Sequence, residues 1–381
     1  MTESNEIVQV TSSWPGLQNI KRLVVFGASY CAIGNPRSGT PRSADLPFGV
    51  PFPGWGCWTD RDPTTSEPRP NWVGHLISRY WPEPRYRPPQ DAAWAGDGSS
   101  AEPVGGSSAG PRIARSTEAE GSIRQPANQP HGLRSFVRGL RPVQIIDSTD
   151  PTLSSPSPPI SQQDPAYARD PLLVFNYAKG GLRVPDVLSQ IWQELLPELG
   201  EWRREEAPAS IDDDPNAWRM WTSGNSLFIT WVGINDCAFI PHHSLELCEE
   251  HIDMLFSGQH DLYATGARNF MLVDVPHMDR CPSANPQPPP SPVFPAWNAA
   301  LLARAQTFAK EHPDATVLIF SSARVIDSIL DDPGKYGLPP SNVRKANGAI
   351  SVWMDRLHPT SAVHNVLAKE MAEFLGGVPR V

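Results

Sequence analysis

Five short runs made almost entirely of apolar residues alternate along this chain with longer segments of helical periodicity. The apolar runs are predicted strands, and they are Leu23–Phe26, Leu172–Tyr177, Leu227–Val232, Phe270–Val275 and Thr316–Phe320. The predicted helices are Trp72–Tyr80, Val184–Leu196, Leu245–Thr265, Ala296–His312 and Ser361–Leu375. Strands that are apolar on both faces and alternate with amphipathic helices indicate a parallel sheet covered on both sides. We therefore predict an α/β fold, a three-layer α/β/α sandwich of about five parallel strands.

The composition of the chain excludes two classes of function. Its 381 residues are 39% hydrophobic and 19% charged, and the formal net charge is −9. Broad nucleic-acid binding needs a basic footprint, so we expect no nucleic-acid partner. The chain contains no apolar run of about 18 residues, so we expect no membrane span.

Proline, glycine and serine are concentrated in one internal tract. It contains "GDGSSAEPVGGSSAGP" and "PTLSSPSPPISQQDP", a composition that cannot bury enough apolar surface to offset the entropy of ordering. We therefore predict a disordered insertion over residues 82–171. The remaining divisions are an N-terminal extension over 1–20 and a single folded domain formed by 21–81 and 172–381.

The N-terminal sequence and the cysteines indicate in which cellular compartment the protein is expected. "MTESNEIVQVTSSWPG" lacks the basic start and the apolar stretch of a signal peptide, so we expect a cytoplasmic protein as the sequence stands. The alternative is a secreted protein with a different start. The five cysteines include no C-x-x-C pair and give no zinc signature, and we expect reduced thiols, with disulfides as the alternative for a secreted chain.

Polar residues follow the predicted strands in an informative pattern. Ser29 ends the first strand in "LVVFGASYC", Gly181 follows the second in "NYAKGG", and Asn235 follows the third in "GIND". Asp355 and His358 precede the final helix in "DRLHP". Ligands of parallel α/β sheets lie beyond the carboxyl ends of the strands, so we expect these five residues to gather at one edge.

Nucleophilic catalysis is the chemistry that this set of residues favours. A serine hydroxyl needs an adjacent general base, usually a histidine whose tautomer is fixed by a carboxylate. The three-residue spacing lets the Asp355 carboxylate reach Nδ1 of His358 and leaves Nε2 free to face Ser29. Pro359 biases His358 away from helical geometry. The alternatives are that "DRLHP" is only a cap and a turn, and that Ser29 is only a turn serine.

Acyl transfer also needs donors that face the developing oxyanion. The candidates are the backbone N–H groups of Ser29 and Gly181 and the side-chain amide of Asn235. Gly180 is the less favoured alternative to Gly181. Taken alone, Asn235 fits a simple turn former slightly better than an oxyanion donor.

The order of these residues, Ser29, Gly181, Asn235, Asp355 and His358, resembles the four blocks of the SGNH, or GDSL-type, hydrolase superfamily. Further segments resemble its fungal branch, which includes the acetylesterases of carbohydrate esterase family 16. They are "NWVGHL", "NYAKGGL", "WTSGNSLFITWVGINDC", "FMLVDVPHMDRCP", "HPDATVLIFSSARVIDSILDDPGKYG" and "DRLHPTSAVHNVLAKEM". The resemblance covers residues 21–80 and 172–375.

The resemblance implies a flavodoxin-like sandwich that uses neither cofactor nor metal. It also implies that Ser29 is the nucleophile, His358 the base and Asp355 its orienting carboxylate. Ser29, Gly181 and Asn235 would form the oxyanion hole. We expect a monomeric serine esterase that removes short acyl groups, acetyl above all, from a small ester or an acylated carbohydrate. The alternatives are a lipase or broad acylhydrolase, and a weakly active or inactive relative that acts as a binding module.

The chain departs from the family pattern at Ala28, where the G-D-S motif has Asp. That carboxylate would organise the loop through backbone N–H groups, so its loss should lower the rate without removing the chemistry. Cys31 and Cys237 follow the serine and asparagine blocks, either as buried thiols or as a disulfide or redox-sensitive thiol near the cleft.

Three further sets of residues leave two interpretations each. His242 and His243 could indicate a metal, but no further ligand accompanies them and loop histidines are the simpler interpretation. His277 is either at the rim of the cleft or a surface residue. Four tryptophans are candidates for either a sugar-stacking rim or the core: Trp55, Trp58, Trp218 and Trp221.

Overall fold

The predicted α/β architecture is confirmed, with one strand more than expected. The computed structural model describes residues 4–34, 36, 39–89, 163–206, 214–284, 289–339 and 351–381. Six strands form a single sheet in the order β1-β6-β5-β4-β2-β3. They are β1 (Glu6–Gln9), β2 (Arg22–Gly27), β3 (Leu173–Asn176), β4 (Ser226–Trp231), β5 (Asn269–Val273) and β6 (Thr316–Phe320).

Five of these strands are parallel and match the five apolar runs. In the order β3-β2-β4-β5-β6, the first parallel strand lies between the second and the third, as in flavodoxin-like sheets. Every residue of β2 and β4 is buried, including those on alternate faces. The sheet must therefore be covered on both sides, which explains why apolar residues predominate on both faces of these strands.

Two groups of helices cover the sheet. Helices α1, α8 and α9 pack together, and α3, α6 and α7 form the other group. The α-helices are α1 (Trp72–His75), α2 (Pro165–Arg169), α3 (Val184–Ser189), α4 (Leu196–Leu199), α5 (Ile234–Cys237), α6 (Glu246–Ala264), α7 (Val293–Glu311), α8 (Ser322–Asp331) and α9 (Ser361–Gly377). Two π-helical segments, Leu76–Tyr80 after α1 and Gln190–Leu195 between α3 and α4, continue them. The 3₁₀ turns are Leu17–Asn19, Gly200–Trp202, Ala217–Arg219, Met278–Arg280, Pro282–Ala284 and Pro333–Tyr336.

Strand β1, helix α8 and the short helices α2 and α5 were not expected from the sequence. Strand β1 pairs antiparallel with β6 at the edge of the sheet, within the predicted N-terminal extension. Its residues are only partly buried, so it lacks the wholly apolar run that marks the parallel strands. Helix α8 follows β6 directly, and the Ser321 side chain accepts a hydrogen bond from the Arg324 N–H at its start.

The two sides of the Pro/Gly/Ser-rich tract meet in the structure. The Gln163 side chain donates to the Arg87 carbonyl (2.7 Å) and accepts from the Arg87 N–H (2.9 Å). Tyr86 and Tyr167 are buried beside this junction with their rings 6.4 Å apart. Residues 90–162, the rest of the predicted insertion, lie outside the described part of the chain, and the division into domains stays a prediction.

Among the residues that the structure describes, no helix combines the length and the apolar character that a membrane span requires.

Candidate active site

Asp355 and His358 form a hydrogen-bonded pair on the turn before α9. The Asp355 Oδ2 atom lies 2.8 Å from Nδ1 of His358. The other carboxylate oxygen, Oδ1, accepts from the backbone N–H groups of Leu357 and His358, each at 2.7 Å. One oxygen thus shapes the turn and the other orients the imidazole, which leaves Nε2 of His358 directed away from Asp355.

The environment keeps Asp355 ionised. Partial burial on its own would raise the pKa of Asp355, but the hydrogen bond and charge of His358 and the two backbone donors outweigh it. The result is a pKa below the ordinary aspartate value. The His358 side chain is 8% exposed and that of Asp355 is 43% exposed, so the imidazole is shielded while the carboxylate stays partly hydrated.

Ser29 lies in a tight turn directly after β2. The Ala28 carbonyl accepts from the N–H groups of Cys31 (3.1 Å) and Ala32 (3.2 Å), which closes the turn around the serine. Gly27 precedes it with φ of +149°, and a Cβ there would lie 2.3 Å from the Trp231 carbonyl oxygen. Only glycine allows the strand to turn this close to β4.

The buried Gln190 side chain fixes the start of this turn. Its Oε1 accepts from the Gly27 N–H (3.1 Å) and its Nε2 donates to the Gly27 carbonyl (2.9 Å). Gln190 is completely buried and comes from the π-helical segment after α3. Both the N–H and the carbonyl group of Gly27, which leads into the Ser29 turn, are therefore hydrogen-bonded to one side-chain amide.

Tyr30 joins the serine turn to the turn that carries the base. Its hydroxyl donates to the Leu357 carbonyl at 2.7 Å. Its ring centroid lies 6.0 Å from that of His358. Because Tyr30 is the residue after Ser29, these contacts place the serine turn beside the His358 turn, and Ser29 itself is only 6% exposed.

The loop after β3 carries Gly181 to the same edge. The Asn176 side chain donates to the Cys31 carbonyl (2.8 Å), and the Lys179 N–H donates to the Gly27 carbonyl (3.3 Å). Gly181 has φ of +79°, and a Cβ added there would meet no atom within 4 Å. The backbone at Gly181 is thus left-handed and open to an approaching ligand.

Asn235 adjoins the Gly181 loop. Its Nδ2 donates to the Leu182 carbonyl at 2.8 Å, which uses one of the two amide hydrogens. The neighbouring Asp236 carboxylate accepts from the Val184 N–H at 3.1 Å, so the two loops are linked twice. Burial raises the pKa of Asp236, partly offset by this hydrogen bond.

Two backbone donors at this edge are left available for a ligand. Within the described residues, the N–H groups of Ser29 and Gly181 donate to no protein group. The structure therefore brings the turns that carry Ser29, Asp355 and His358 together, and it places Gly181 beside Asn235. These are the five residues that the sequence pattern singles out.

The cysteines near the site are buried thiols. All five cysteines, which the structure describes in full, are free and buried. Burial raises the pKa of Cys31 to about 12 and raises that of Cys237 well above the ordinary value. Neither thiol is disposed to form the thiolate that redox chemistry requires.

His277 pairs with a carboxylate, whereas His242 and His243 lie on the surface. Nδ1 of His277 lies 2.6 Å from the Asp327 carboxylate, which also pairs with Arg280. His242 and His243 are exposed, and Nε2 of His242 lies 3.3 Å from the Ser291 hydroxyl.

The structure describes one group that could hold a metal ion. It consists of His260, Glu311 and His312, whose potential ligand atoms lie within 4.8 Å of one another. His260 and His312 lie near the ends of α6 and α7, just before β5 and β6 begin. The group is therefore at the opposite edge of the sheet from Ser29 and includes none of the predicted site residues.

The four tryptophans separate into two classes. Trp218 and Trp221 are 5% and 2% exposed and belong to the core, so a sugar-stacking rim cannot include them. Trp55 is 66% exposed and lies over Gly34, where a Cβ would be 2.8 Å from its ring. Trp58 is half-buried and stacks on His358.

Two residues of this site escape inference from sequence. Gln190 occurs within a predicted helix, where a polar residue at a core-facing position is the only available signal. Asp60 is 4% exposed and accepts from the Ser361 N–H (2.6 Å), three residues after His358. The position of Asp60 in the sequence gives no indication that it contacts the final helix.

Comparison with known proteins gives one match in sequence. An acetylesterase from Thermothelomyces thermophilus is 26% identical over 214 residues, which cover 54% of this chain and 70% of that protein. The match agrees with the predicted carboxylic ester hydrolase. No family model matches the chain.

The solved structures that are similar to this chain include ester hydrolases. A variant acetyl-xylooligosaccharide esterase from Geobacillus is 12% identical, with 94% of this chain and 95% of that chain covered and a TM-score of 0.41. An acetylxylan esterase from Geobacillus stearothermophilus is 16% identical, with coverages of 55% and 75% and a TM-score of 0.32. A lipase/acylhydrolase from Enterococcus faecalis is 14% identical, with coverages of 54% and 76% and a TM-score of 0.30.

Proposed function

We propose that this chain is an SGNH-type hydrolase that removes short acyl groups, acetyl above all, from carbohydrates or small alcohols through an acyl-serine intermediate on Ser29. The observation that carries the proposal is the Asp355–His358 pair at 2.8 Å, held against the serine turn by Tyr30. A buried imidazole whose Nδ1 is fixed by an ionised carboxylate is suited to remove a proton from a hydroxyl.

In the proposed reaction, Oγ of Ser29 attacks the ester carbonyl carbon and gives its proton to Nε2 of His358. The C–O bond to the alcohol then breaks, and His358 returns the proton to the departing alkoxide. A water molecule attacks the acyl-serine in the second half, again with His358 as base, and releases the carboxylic acid and free Ser29. Asp355 stays ionised throughout and stabilises the imidazolium.

The oxyanion would be bound by three donors. The N–H groups of Ser29 and Gly181 are unused within the described residues, and Asn235 keeps one amide hydrogen after bonding Leu182. Donors that are fixed before the reaction stabilise the developing charge without reorganisation. Each of them is worth about 3 kcal/mol in comparable sites.

The preference for acetyl esters of carbohydrates rests on similar proteins rather than on the site. The sequence match is an acetylesterase, and the solved structures include esterases of acetylated xylan. We also propose that the chain belongs to the fungal branch with the acetylesterases of carbohydrate esterase family 16, as the motifs indicate.

The test compares p-nitrophenyl acetate turnover by the wild type and by Ser29→Ala. Ser257→Ala is a matched control because Ser257 is exposed on α6, where its hydroxyl donates to the Met254 carbonyl. We expect activity in the wild type and the control and none above background in Ser29→Ala. Equal rates in all three proteins would refute the proposal.

Two further measurements separate the alternatives. Rates that fall from acetate to octanoate support an esterase of short acyl groups, whereas rising rates indicate a lipase. A fluorophosphonate probe that labels Ser29 in the wild type, but not when His358 is replaced, argues against an inactive binding module. Absence of both labelling and turnover favours the binding module.

A further inference from the structure

Trp58 lies between the two halves of the proposed site. It belongs to the loop that runs from Pro53 to Asp62, between the serine turn and α1. Its side chain is half-buried, whereas the cysteine before it and the threonine after it are buried. The position of its indole is therefore set by specific neighbours rather than by general burial in the core.

The first neighbour of Trp58 is the proposed base. The indole stacks on the imidazole of His358, with ring centroids 4.8 Å apart and an angle of 30° between the planes. Asp355 restrains the same ring by a hydrogen bond at Nδ1. A hydrogen bond at one atom still permits the ring to tilt, and a flat surface against its face restricts that motion.

The second neighbour of Trp58 is the loop that carries the proposed oxyanion donor. A Cβ added to Gly180 would lie 2.7 Å from Cζ2, 2.8 Å from Cε2 and 2.9 Å from Nε1 of Trp58. The indole therefore lies directly on the Gly180 backbone. Gly180 is not among the residues with positive φ, so this close contact is what requires glycine there. Gly181 differs, because its left-handed φ of +79° favours glycine whatever the space around it.

The Trp58 loop is itself fixed to the helix that follows the base. The buried Asp60 carboxylate accepts from the Ser361 N–H at 2.6 Å, at the first residue of α9. Burial raises the pKa of Asp60, and the hydrogen bond from Ser361 and the charge of Arg69 oppose this effect. The loop and the His358 turn are thus joined at two points, at the Trp58 ring and at Asp60.

We propose that Trp58 is a positioning residue that couples the base to the oxyanion loop, holding the His358 ring on one side and the Gly180–Gly181 backbone on the other. This inference rests on the proposed function and adds a residue outside the five of the family pattern. Proton transfer and oxyanion binding must occur at one carbonyl group. An error of about 1 Å between such groups can lower a rate by about 100-fold.

The first test replaces the indole. We expect Trp58→Leu to lower kcat for p-nitrophenyl acetate by about 10- to 100-fold, with KM changed by less than about twofold, because a small ester makes few ground-state contacts. Trp58→Phe retains an aromatic face for His358 and should recover part of the loss. Trp192→Leu is the control, because Trp192 is 46% exposed and bonds Asp261 on the helical surface.

The second test is a double-mutant cycle between Trp58 and Gly180. Gly180→Ala should lower kcat strongly in the wild type, because the new Cβ collides with the indole. In the Trp58→Leu background the colliding atoms are absent, so the fold loss of kcat caused by Gly180→Ala should be at least about threefold smaller than in the wild type. Gly181→Ala is the matched control, because strain at positive φ does not depend on Trp58 and its cost should be the same in both backgrounds.

The outcomes separate this inference from the proposed function. A wild type that turns over no ester refutes the proposed function and, with it, the coupling. An active wild type with Trp58→Leu within about twofold of its kcat, or with equal Gly180→Ala costs in both backgrounds, overturns the coupling alone. If Trp58→Leu does not fold by circular dichroism, the same cycle is run with Trp58→Phe. The variants are compared below their thermal midpoints, so that a general loss of stability does not pass for a loss of kcat.

Discussion

Asp355 offers the sharpest test of the proposed mechanism, because its two oxygens have different tasks. Oδ1 accepts two backbone hydrogen bonds that shape the turn, and Oδ2 faces Nδ1 of His358. Asp355→Asn can keep an acceptor at the Oδ1 position while it presents an amide N–H to Nδ1. Two donors cannot face each other, so the His358 proton should move to Nε2, the atom that must accept from Ser29.

The expected effect of Asp355→Asn is large on rate and small on stability. A wrong tautomer in an acyl-transfer triad costs about 10⁴ in kcat. At about 1.4 kcal/mol for each factor of ten, this corresponds to about 5.5 kcal/mol of lost transition-state stabilisation. The turn keeps its two acceptor bonds, and the Asp355 side chain is 43% exposed, so its unfolding free energy should fall by less than about 1 kcal/mol.

Asp355→Ala supplies the comparison for that measurement. It removes the same orienting contact and also leaves the N–H groups of Leu357 and His358 without their acceptor. We expect a similar loss of kcat/KM and a further loss of stability of about 2 kcal/mol. The assays are p-nitrophenyl acetate hydrolysis and urea unfolding of the three proteins. Asp355→Asn that retains more than about a tenth of wild-type kcat/KM, or equal losses of stability in both variants, would refute this account.

Three other changes test separate features of the site. Gln190→Leu leaves the buried Gly27 N–H without an acceptor and should lower the unfolding free energy by about 1–3 kcal/mol in urea titrations, with a fall in kcat; an unchanged midpoint would contradict the role assigned to Gln190. Ala28→Asp supplies the carboxylate that the family pattern has at this position and should raise kcat, whereas an equal or lower kcat would mean that Gln190 and the backbone bonds already hold the turn. His364 is fully buried, and burial together with the charge of His358 lowers its pKa to about 3. The unfolded chain protonates this imidazole below about pH 6.5, whereas the folded protein keeps it neutral. As the pH is lowered from about 6 to 4, His364 should therefore reduce the unfolding free energy by up to about 1.4 kcal/mol per pH unit. His364→Phe should flatten that slope when unfolding is measured across this range.

The parallel core of the fold could be predicted from sequence because its signal is local. Each parallel strand is buried on both faces and contains an uninterrupted apolar run, such as residues 173–175 and 317–320. The edge strand Glu6–Gln9 is only partly buried and antiparallel, so its alternating residues do not differ from those of a loop. Helix α8 is short, and its run "SSARVIDSILDD" follows β6 without the break that separates the other helices from their strands.

In the candidate site, too, contacts between neighbours in the chain could be predicted and contacts between distant residues could not. Asp355 and His358 lie three residues apart, so their contact is local and could be predicted. Trp58, Asp60 and Gln190 act on residues that are distant in the chain, and their roles depend on how the layers pack. The two glycines of "KGG" show the difference well, because the sequence ranks Gly181 over Gly180 without revealing that a tryptophan requires the latter.

The junction between Arg87 and Gln163 has a consequence for how this protein tolerates changes of length. The chain leaves the domain and re-enters it at one point, where each residue pairs with the other through two hydrogen bonds. The free energy of closing a flexible loop grows only with the logarithm of its length. Each halving of the loop then changes the closure free energy by about 0.6 kcal/mol. The domain would gain or lose residues there by evolution or by engineering at almost no cost to its folding, while the edge that carries Ser29 stays unchanged.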